Sequence, residues 1–248
     1  MSGGASAAAA ARIAAAPASC TAAVAVAIAA YQAAPSIGDV VRRALDQVPE
    51  VVVVDDGSTD GTGEVARAAG ARVLTHPENR GKGAALATAF ADLFRGPGRA
   101  RAAVVTLDAD GQHLPEEIPR LLEAWRDGAD LVIGSREELF AEMSRPRRIA
   151  NRASSRLISI VAGERLADVQ SGFRLYTPAV IAATGFAEPR FEAESAVVVR
   201  AVRRGFRVVA VPVRLGFADG RCTSFYRPVA DSLRIAGAVL RARLEGAK

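Results

Sequence analysis

Short apolar runs alternate with longer amphipathic segments along most of this chain. The short runs are rich in Val, Ile and Leu and end in polar or glycine-containing turns, which predicts strands buried on both faces of a sheet. The longer segments repeat their apolar positions with helical spacing, as helices that cover a sheet do. Strands and helices in alternation are typical of an α/β protein, so we predict a mostly parallel central sheet flanked by helices.

The predicted elements follow one another without an internal repeat or linker. We predict strands over residues 24–28, 51–54, 72–74, 131–134 and 208–213, and a further strand that begins at residue 103 and runs into Asp108. We predict helices over residues 36–47, 64–69, 81–94, 115–126, 145–161 and 192–204, and from residue 229 onward. The first helix opens with Ser36 three residues before Asp39, which is a capping-box pattern.

The first 20 residues differ from the rest in being dominated by alanine. We expect residues 1–20 to be a disordered lead-in, and residues 21–248 to form one domain that ends in an amphipathic helix. A secretory signal is the alternative, because Arg12 precedes a stretch of small apolar residues. The apolar run over residues 22–31 is far shorter than the roughly 20 residues that cross a bilayer, so we predict a strand there.

The segment AVVTLDADGQHLP, residues 103–115, carries the strongest chemical pattern. Asp108 and Asp110 stand at positions i and i+2 of extended backbone, so both carboxylates point to the same side and can reach one hard cation. Two acids on a solvated turn are the alternative. The apolar run before them favours a site, because open α/β sheets bind ligands at the carboxyl ends of their strands.

Other segments supply groups that suit a diphosphate. Asp55 and Asp56 end the second predicted strand, and Arg136 follows the fifth. Lys82, between two glycines, opens a helix whose free N–H groups could meet an anion. Breaking a sugar–diphosphate bond builds negative charge on the leaving group, and a divalent cation with guanidinium partners neutralises that charge.

Composition narrows the range of partners. The net charge is +5 and the pI about 9.8, but only 5% of residues are aromatic, which disfavours nucleic acid and favours phosphates or an anionic membrane face. Cys20 and Cys222 match no metal or disulfide spacing, as expected in a reducing cytoplasm. Two basic segments, residues 145–156 and the last helix, are either peripheral contacts with the inner face of a membrane or plain solvated faces.

Six motifs together resemble the family 2 glycosyltransferases of GT-A fold, and within them the polyprenyl-phosphate and dolichol-phosphate mannose and glucose synthases. The motifs, in chain order, are VAIAAYQAAPSIGDVV, VVVVDDGSTDGT, NRGKGAALATAF, LDADGQH, ADVQSGFRLY and VPVRLGFADGRCTSFYRPVADSLRI. The resemblance implies a metal-dependent, inverting transfer of a hexose. The donor would be a nucleotide diphosphate sugar of the GDP-mannose or UDP-glucose type, the cofactor Mg²⁺ or Mn²⁺, and the acceptor a polyprenyl phosphate.

The resemblance also implies roles for individual residues. Asp110 would bind the metal directly, with Asp108 on its nucleotide side and Gln112 completing the set. Asp168 falls in the acceptor-side motif, and Arg136 and Arg221 would clamp the diphosphate. The implied catalytic residues are Asp168, Asp110 and Arg221, and the implied nucleotide-sugar site comprises Ala29, Tyr31, Asp55, Asp56, Lys82, Asp108, Ala109, Arg136, Glu192 and Glu194.

Some positions depart from the family pattern. Ala29, Gln32 and Ala33 stand where the family has Pro, Asn and Glu, so a polar contact to the nucleotide is absent there. Cys222 replaces a small hydroxyl residue after Arg221. His113 has no second histidine nearby in the sequence, which favours a loop residue over a metal ligand.

Three alternatives stay open from the sequence. The acceptor could be a soluble hydroxyl compound rather than a lipid phosphate. The altered first loop is also compatible with a nucleotide-sugar binder that has no activity. The segment LDADG further resembles the haloacid-dehalogenase phosphatases, although that class has this motif on its first strand and a Thr or Val after the Gly, where Gln112 stands here.

Overall fold

The computed structural model describes residues 23–95, 101–136, 155–216 and 228–245. These ranges contain a seven-stranded sheet of order β3-β2-β1-β4-β6-β5-β7. The strands are β1 (Val24–Ala30), β2 (Val51–Asp55), β3 (Arg72–Thr75), β4 (Ala103–Asp108), β5 (Leu131–Ser135), β6 (Arg174–Tyr176) and β7 (Val208–Pro212). All pairs are parallel except those of β6, which runs antiparallel to both β4 and β5. The predicted mostly parallel sheet is therefore confirmed, and β6 is the strand that the apolar pattern missed.

Helices cover both faces of the sheet. They are α1 (Ala34–Leu45), α2 (Thr62–Ala68), α3 (Lys82–Arg95), α4 (Ile118–Arg126) after a short 3-10 turn, α5 (Pro178–Thr184), α6 (Glu192–Arg203) and α7 (Pro228–Glu245), and residues 155–162 are also helical. Alternate residues of β1 enter two separate apolar cores, with Ala25 and Ala27 in one and Val24, Val26 and Ile28 in the other. This two-sided burial explains why the strands are continuous apolar runs.

The start of α1 differs from the predicted capping box. The N-cap residue is Ala33, without a side-chain cap, and proline occupies the first turn, where its missing N–H has no helical partner to lose. Ser36 lies inside the helix, and its hydroxyl donates to the carbonyl oxygen of Ala109 at 2.7 Å. The serine therefore fastens α1 to the turn after β4 instead of capping the helix.

The carboxyl ends of β1, β2 and β4 meet at one edge of the sheet. Ala29 is paired with Asp108, and Ala30 with Asp55, in the parallel register. Because β6 is antiparallel, the residues that precede it reach the same edge, where the Thr106 hydroxyl donates to the Gly172 carbonyl at 2.8 Å. Residues that follow the parallel strands β1, β2 and β4 and residues that precede the antiparallel strand β6 therefore lie at the same edge of the sheet.

Several predicted features lie outside the described residues. They are the lead-in over residues 1–20, most of the basic segment 145–156, and residues 217–227, which include Arg221 and Cys222. Among the helices within the described ranges, none combines the length and the apolar character that crossing a bilayer requires.

Candidate functional site

An ion-pair chain lies at the edge where the strands end. The Lys82 Nζ atom is 2.6 Å from Asp108 Oδ1 and 3.0 Å from Glu194 Oε2. Burial acts to lower the pKa of Lys82, but the two carboxylates outweigh it and raise that pKa above its ordinary value. Burial acts to raise the pKa of Asp108, but the Lys82 charge outweighs it and holds that pKa well below its usual range. Lys82 and Asp108 are therefore both charged at neutral pH.

Gly172 makes room for this ion pair. A Cβ atom at this position would lie 2.6 Å from Lys82 Nζ and 2.7 Å from Asp108 Oδ1. Distances this short do not occur between a side-chain carbon and heavy atoms in folded proteins, so the close approach of the lysine to the aspartate depends on glycine here.

The second ion pair joins two predicted residues, Arg136 and Asp168. The Arg136 guanidinium donates to both carboxylate oxygens at 2.7 and 2.9 Å, and its backbone N–H donates to Oδ2 at 2.9 Å. Asp168 is fully buried and has a left-handed φ of 42°. Burial acts to lower the pKa of Arg136, but the bonds to Asp168 outweigh it and raise that pKa. Both oxygens of Asp168 are thus engaged by one guanidinium.

Arg174 is a buried charged residue beside the site that the sequence analysis did not single out. Its side chain is fully buried and donates to the carbonyl oxygens of Val169, Ser171 and Glu194, at 2.5, 2.7 and 2.6 Å. It therefore ties the loop around Asp168 to the first turn of α6. The sequence signal for Arg174 is weak, since it consists of an arginine directly before the two apolar residues Leu175 and Tyr176.

Asp55 and Asp56 organise their own loops. Asp56 is buried and accepts hydrogen bonds from His76 Nδ1 at 2.7 Å and from the backbone N–H groups of Arg80 and Gly81 at 3.0 and 2.7 Å. Asp55 Oδ1 accepts the Ser58 N–H at 3.0 Å. Their predicted contact with the nucleotide stays a prediction, and the structure adds a turn-forming role for both.

Two of the N–H groups at the start of α3 are already used within the protein. The Ala84 N–H donates to the Pro189 carbonyl at 3.0 Å, and the Gly81 N–H is taken by Asp56. Backbone atoms of the loop before α6 lie so close to Gly81 and Gly83 that no side chain fits at either position. The loop before α6 therefore packs directly on this helix end, and the Lys82 side chain lies beside Asp108 and Glu194. The predicted contact between this helix end and an anion stays a prediction.

The predicted metal ligands occupy the turn after β4. Asp110 Oδ1 accepts the Gln112 N–H at 3.0 Å, and Gly111 between them has a φ of 78°. In the described ranges, no three His, Cys, Asp or Glu side chains are grouped so as to hold a metal. The donor set of Asp108, Asp110 and Gln112 is nevertheless made of oxygen atoms alone, which suits Mg²⁺ or Mn²⁺.

Glu192 and Glu194 lie buried in the first turn of α6. Each has one carboxylate oxygen that accepts no hydrogen bond from the described part of the chain. A buried acceptor without a partner costs free energy that a bound donor group recovers. These two oxygens therefore suit the hydroxyl groups of a sugar.

The remaining predicted positions surround this group. Ala29 lies next to Asp108 across the strand pair, and Tyr31 follows the end of β1 and is half-buried. Ala109 is buried and is bonded through its carbonyl to α1. The structure thus brings the predicted residues on β1, β2, β4, α3, α6 and the Asp168 loop to one edge of the sheet.

His113 is a loop residue that packs inside the protein. Its ring is buried, stacks on Phe173 with centroids 5.5 Å apart, and accepts the Asp108 N–H at Nδ1, 3.3 Å away. Burial lowers the pKa of this ring, which favours the neutral form. His113 lies in the connection after β4, as expected of a loop residue, and the prediction that it is no metal ligand stays a prediction.

Comparison with known proteins identifies the family. The profile of Glycosyl transferase family 2 matches residues 25–183. An undecaprenyl-phosphate mannosyltransferase from Micrococcus luteus is 38% identical over 181 residues, which cover 69% of this chain and 74% of the relative. Glycosyltransferase AglJ from Haloferax volcanii is 32% identical over 188 residues, which cover 73% of this chain and 59% of that protein.

A solved structure has the same fold. Glucosyl-3-phosphoglycerate synthase from Mycobacterium tuberculosis, in complex with Mn²⁺, UDP and phosphoglyceric acid, superimposes with a TM-score of 0.68 at 22% identity. The superposition covers 89% of this chain and 78% of the synthase. The predicted GT-A fold is confirmed, and so is the prediction of a glycosyltransferase. The family match covers more than half of the chain, and the chain belongs to glycosyltransferase family 2.

Proposed function

We propose that this enzyme transfers a hexose from a nucleotide diphosphate sugar to a polyprenyl phosphate, with inversion and with the help of Mg²⁺ or Mn²⁺. The donor part of this proposal, the binding of a nucleotide diphosphate sugar, rests on a group of charged side chains at one edge of the sheet. These are Asp108, Asp110, Lys82 and Glu194. The acceptor half is supported by the relative from Micrococcus luteus, whose name states an undecaprenyl-phosphate mannosyltransferase.

The turn that carries Asp108, Asp110 and Gln112, called the acid turn below, suits a divalent cation. Asp110 and Asp108 would hold it through carboxylate oxygens, with the Gln112 amide oxygen as a third ligand. When bound, such a cation neutralises charge on the diphosphate. Lys82 already neutralises Asp108, which supports entry of the cation together with the anionic nucleotide rather than alone.

Cationic side chains serve the leaving group. Lys82 is a charged amine at the edge where the strands end. Arg136 lies close enough to Asp108 for its positive charge to help lower the pKa of that carboxyl. As negative charge grows on the departing diphosphate, these cations stabilise it more than they stabilise the ground state. Arg221 lies outside the described residues and stays a predicted contributor.

The acceptor does not require a strong base. A phosphate acceptor is largely ionised at neutral pH, so its oxygen can attack directly from the side opposite the diphosphate. Asp168 is engaged at both oxygens by Arg136, which supports a positioning role over proton abstraction. A soluble hydroxyl acceptor would instead require that ion pair to open.

Exposed apolar side chains support contact with a membrane surface. Leu157 and Ile160, next to Arg156, and Leu240 and Leu244, among the arginines of α7, are 49–73% exposed. Apolar residues beside basic ones favour binding at the surface of an anionic bilayer, where each arginine contributes about 1 kcal/mol. A polyprenyl phosphate would be met at that surface.

The test is transfer from labelled GDP-mannose and UDP-glucose to a short polyprenyl phosphate, measured with Mn²⁺ and with excess EDTA, beside flotation with anionic vesicles at low and high salt. We expect a labelled lipid product in the presence of Mn²⁺ only, and binding to vesicles that high salt removes. Labelling of a soluble hydroxyl acceptor alone, with no flotation, would favour the alternative acceptor.

A further inference from the structure

His113 lies under the acid turn and is bonded to it. Only 2% of its surface is exposed, and its ring packs almost parallel to that of Phe173. Its Nδ1 atom is 3.3 Å from the Asp108 backbone nitrogen. The same Nδ1 atom is 3.4 Å from Asp108 Oδ2. The backbone N–H can only donate, so its bond to Nδ1 assigns the ring hydrogen to Nε2, whereas a proton on Nδ1 would turn the ring toward the carboxylate instead.

This bond closes the turn that carries the acids. It joins the last residue of β4 to the far side of the turn, and inside it the Gln112 N–H donates to Asp110 Oδ1. Gly111 supplies the left-handed backbone that lets the chain reverse. The directions of the Asp108 and Asp110 carboxylates therefore depend on where His113 holds the turn.

The same residue connects the turn to the chain after β7. His113 forms an isolated antiparallel bridge with Leu215, and the Gly216 N–H donates to the Gln112 carbonyl at 2.9 Å. A Cβ atom at Gly216 would lie 3.0 Å from the Gly111 carbonyl oxygen, so the two segments are in close contact. This segment leads directly into residues 217–227, which include Arg221.

We propose that His113 is a positioning residue. Its ring holds the acid turn in the geometry that binds the cation, and its backbone docks residues 215 and 216 against that turn. The proposal rests on the proposed function, in which Asp108 and Asp110 hold a divalent cation. Groups that orient metal ligands are typically worth 10–100-fold in metal affinity or activity.

Substitutions of His113 can show whether its ring only fills space or also positions the turn through its hydrogen bond. Phenylalanine can fill the site of the ring and stack on Phe173, but it has no acceptor for the Asp108 N–H. Asparagine fills the site less well, but its Oδ1 can accept that hydrogen bond. The substitutions His113→Phe and His113→Asn therefore separate the two roles.

The experiment is a titration of Mn²⁺ in the presence of GDP or UDP, followed by the electron paramagnetic resonance of free Mn²⁺, together with kcat and KM for the donor. We expect His113→Phe to weaken Mn²⁺ binding 10–100-fold and to lower kcat similarly, and His113→Asn to remain within a few-fold of wild type. Val48→Ala, a buried change at the opposite edge of the sheet, controls for loss of stability alone and should bind Mn²⁺ normally.

Other results would overturn the proposal in distinguishable ways. Wild-type Mn²⁺ affinity in His113→Phe, or an equal loss in His113→Asn and His113→Phe, would reduce His113 to a packing residue while the proposed function stands. Absence of Mn²⁺ binding by the wild type with every nucleotide would refute the metal role and the positioning role together. Gly216→Ala perturbs the turn from the other side with His113 intact, and should also weaken Mn²⁺ binding; unchanged binding would refute the docking role.

Discussion

Replacing Gly172 with alanine tests whether the contact between Lys82 and Asp108 is needed for transfer. The new Cβ atom would lie 2.6 Å from Lys82 Nζ and 2.7 and 2.9 Å from the two oxygens of Asp108. Gly172 has no left-handed φ, so alanine introduces no backbone strain at this position. Whatever the substitution changes therefore reports on the ion pair.

The expected loss of stability is modest and the expected loss of activity is large. Forcing a methyl group into a packed site costs about 1–3 kcal/mol. Lys82 is flexible and the Asp108 side chain is 33% exposed, so both can move and water can solvate the carboxylate. We therefore expect a loss of about 1–2 kcal/mol in the free energy of unfolding, or roughly 2–8 °C in Tm. A displacement of about 1 Å in a positioned catalytic group can cost about 100-fold in rate, and we expect that loss in kcat/KM for the donor.

The assay compares kcat/KM and Tm of Gly172→Ala with those of Gly237→Ala. Gly237 lies in α7, where an added Cβ meets only the end of the Arg241 side chain at 3.6 Å. Alanine in a helix is favoured over glycine by about 1 kcal/mol, so this control should gain stability and keep full activity. A Gly172→Ala enzyme with wild-type kcat/KM would refute the claim that the close Lys82–Asp108 contact serves catalysis.

Three further predictions follow from the site. Asp110→Asn should lower metal-dependent transfer by more than about 100-fold with little change in Tm, because the side chain is partly exposed; retained activity in kinetic assays with Mn²⁺ would contradict the metal assignment. Asp56→Asn should lower the free energy of unfolding by about 1–3 kcal/mol in denaturant titrations, because buried donors of His76 and Gly81 lose a charged acceptor; an unchanged midpoint would count against it. The pKa of Asp108 is depressed in the folded chain, so its ion pair stabilises the protein fully above about pH 4, and this contribution is lost as the pH falls from there toward the folded value. The difference in unfolding free energy between wild type and Asp108→Asn should therefore stay constant from pH 7 to about pH 4 and narrow below it; a constant difference below pH 4 would exclude the linkage.

The strands and the acid turn were predictable because their signals are local. Each parallel strand is a continuous apolar run, and the aspartates after β2 and β4 follow such runs directly. The strand β6 was missed because it has three residues and begins with the buried Arg174. The Arg174 side chain is buried because its N–H groups donate to backbone carbonyl oxygens. In the sequence alone, such an arginine cannot be distinguished from an exposed arginine in a loop.

The pairing of charges could not be predicted from the sequence. Arg136 was expected to clamp a diphosphate, and the structure pairs it with Asp168, which lies 32 residues away. The hydrogen bond from the Ala84 N–H to the Pro189 carbonyl joins two backbone groups. Because nearly every residue has such groups, no residue type in the sequence predicts this contact. Such contacts depend on how distant segments meet, and they emerge only in the folded chain.

The antiparallel strand β6 has a consequence for how this enzyme can diversify. The chain leaves the site at Arg136 and returns at Asp168, and the two ends are joined by that ion pair and by the Gly134 N–H bond to the Phe173 carbonyl. With the ends fastened to each other, doubling the length of what lies between them costs only about 0.6 kcal/mol of closure entropy. The helix over residues 155–162 lies within this stretch and buries Ile158, Val161 and Ala162 in the core beside the sheet. We therefore expect a chimera built at the same two anchors to keep the sheet register if these apolar positions are retained.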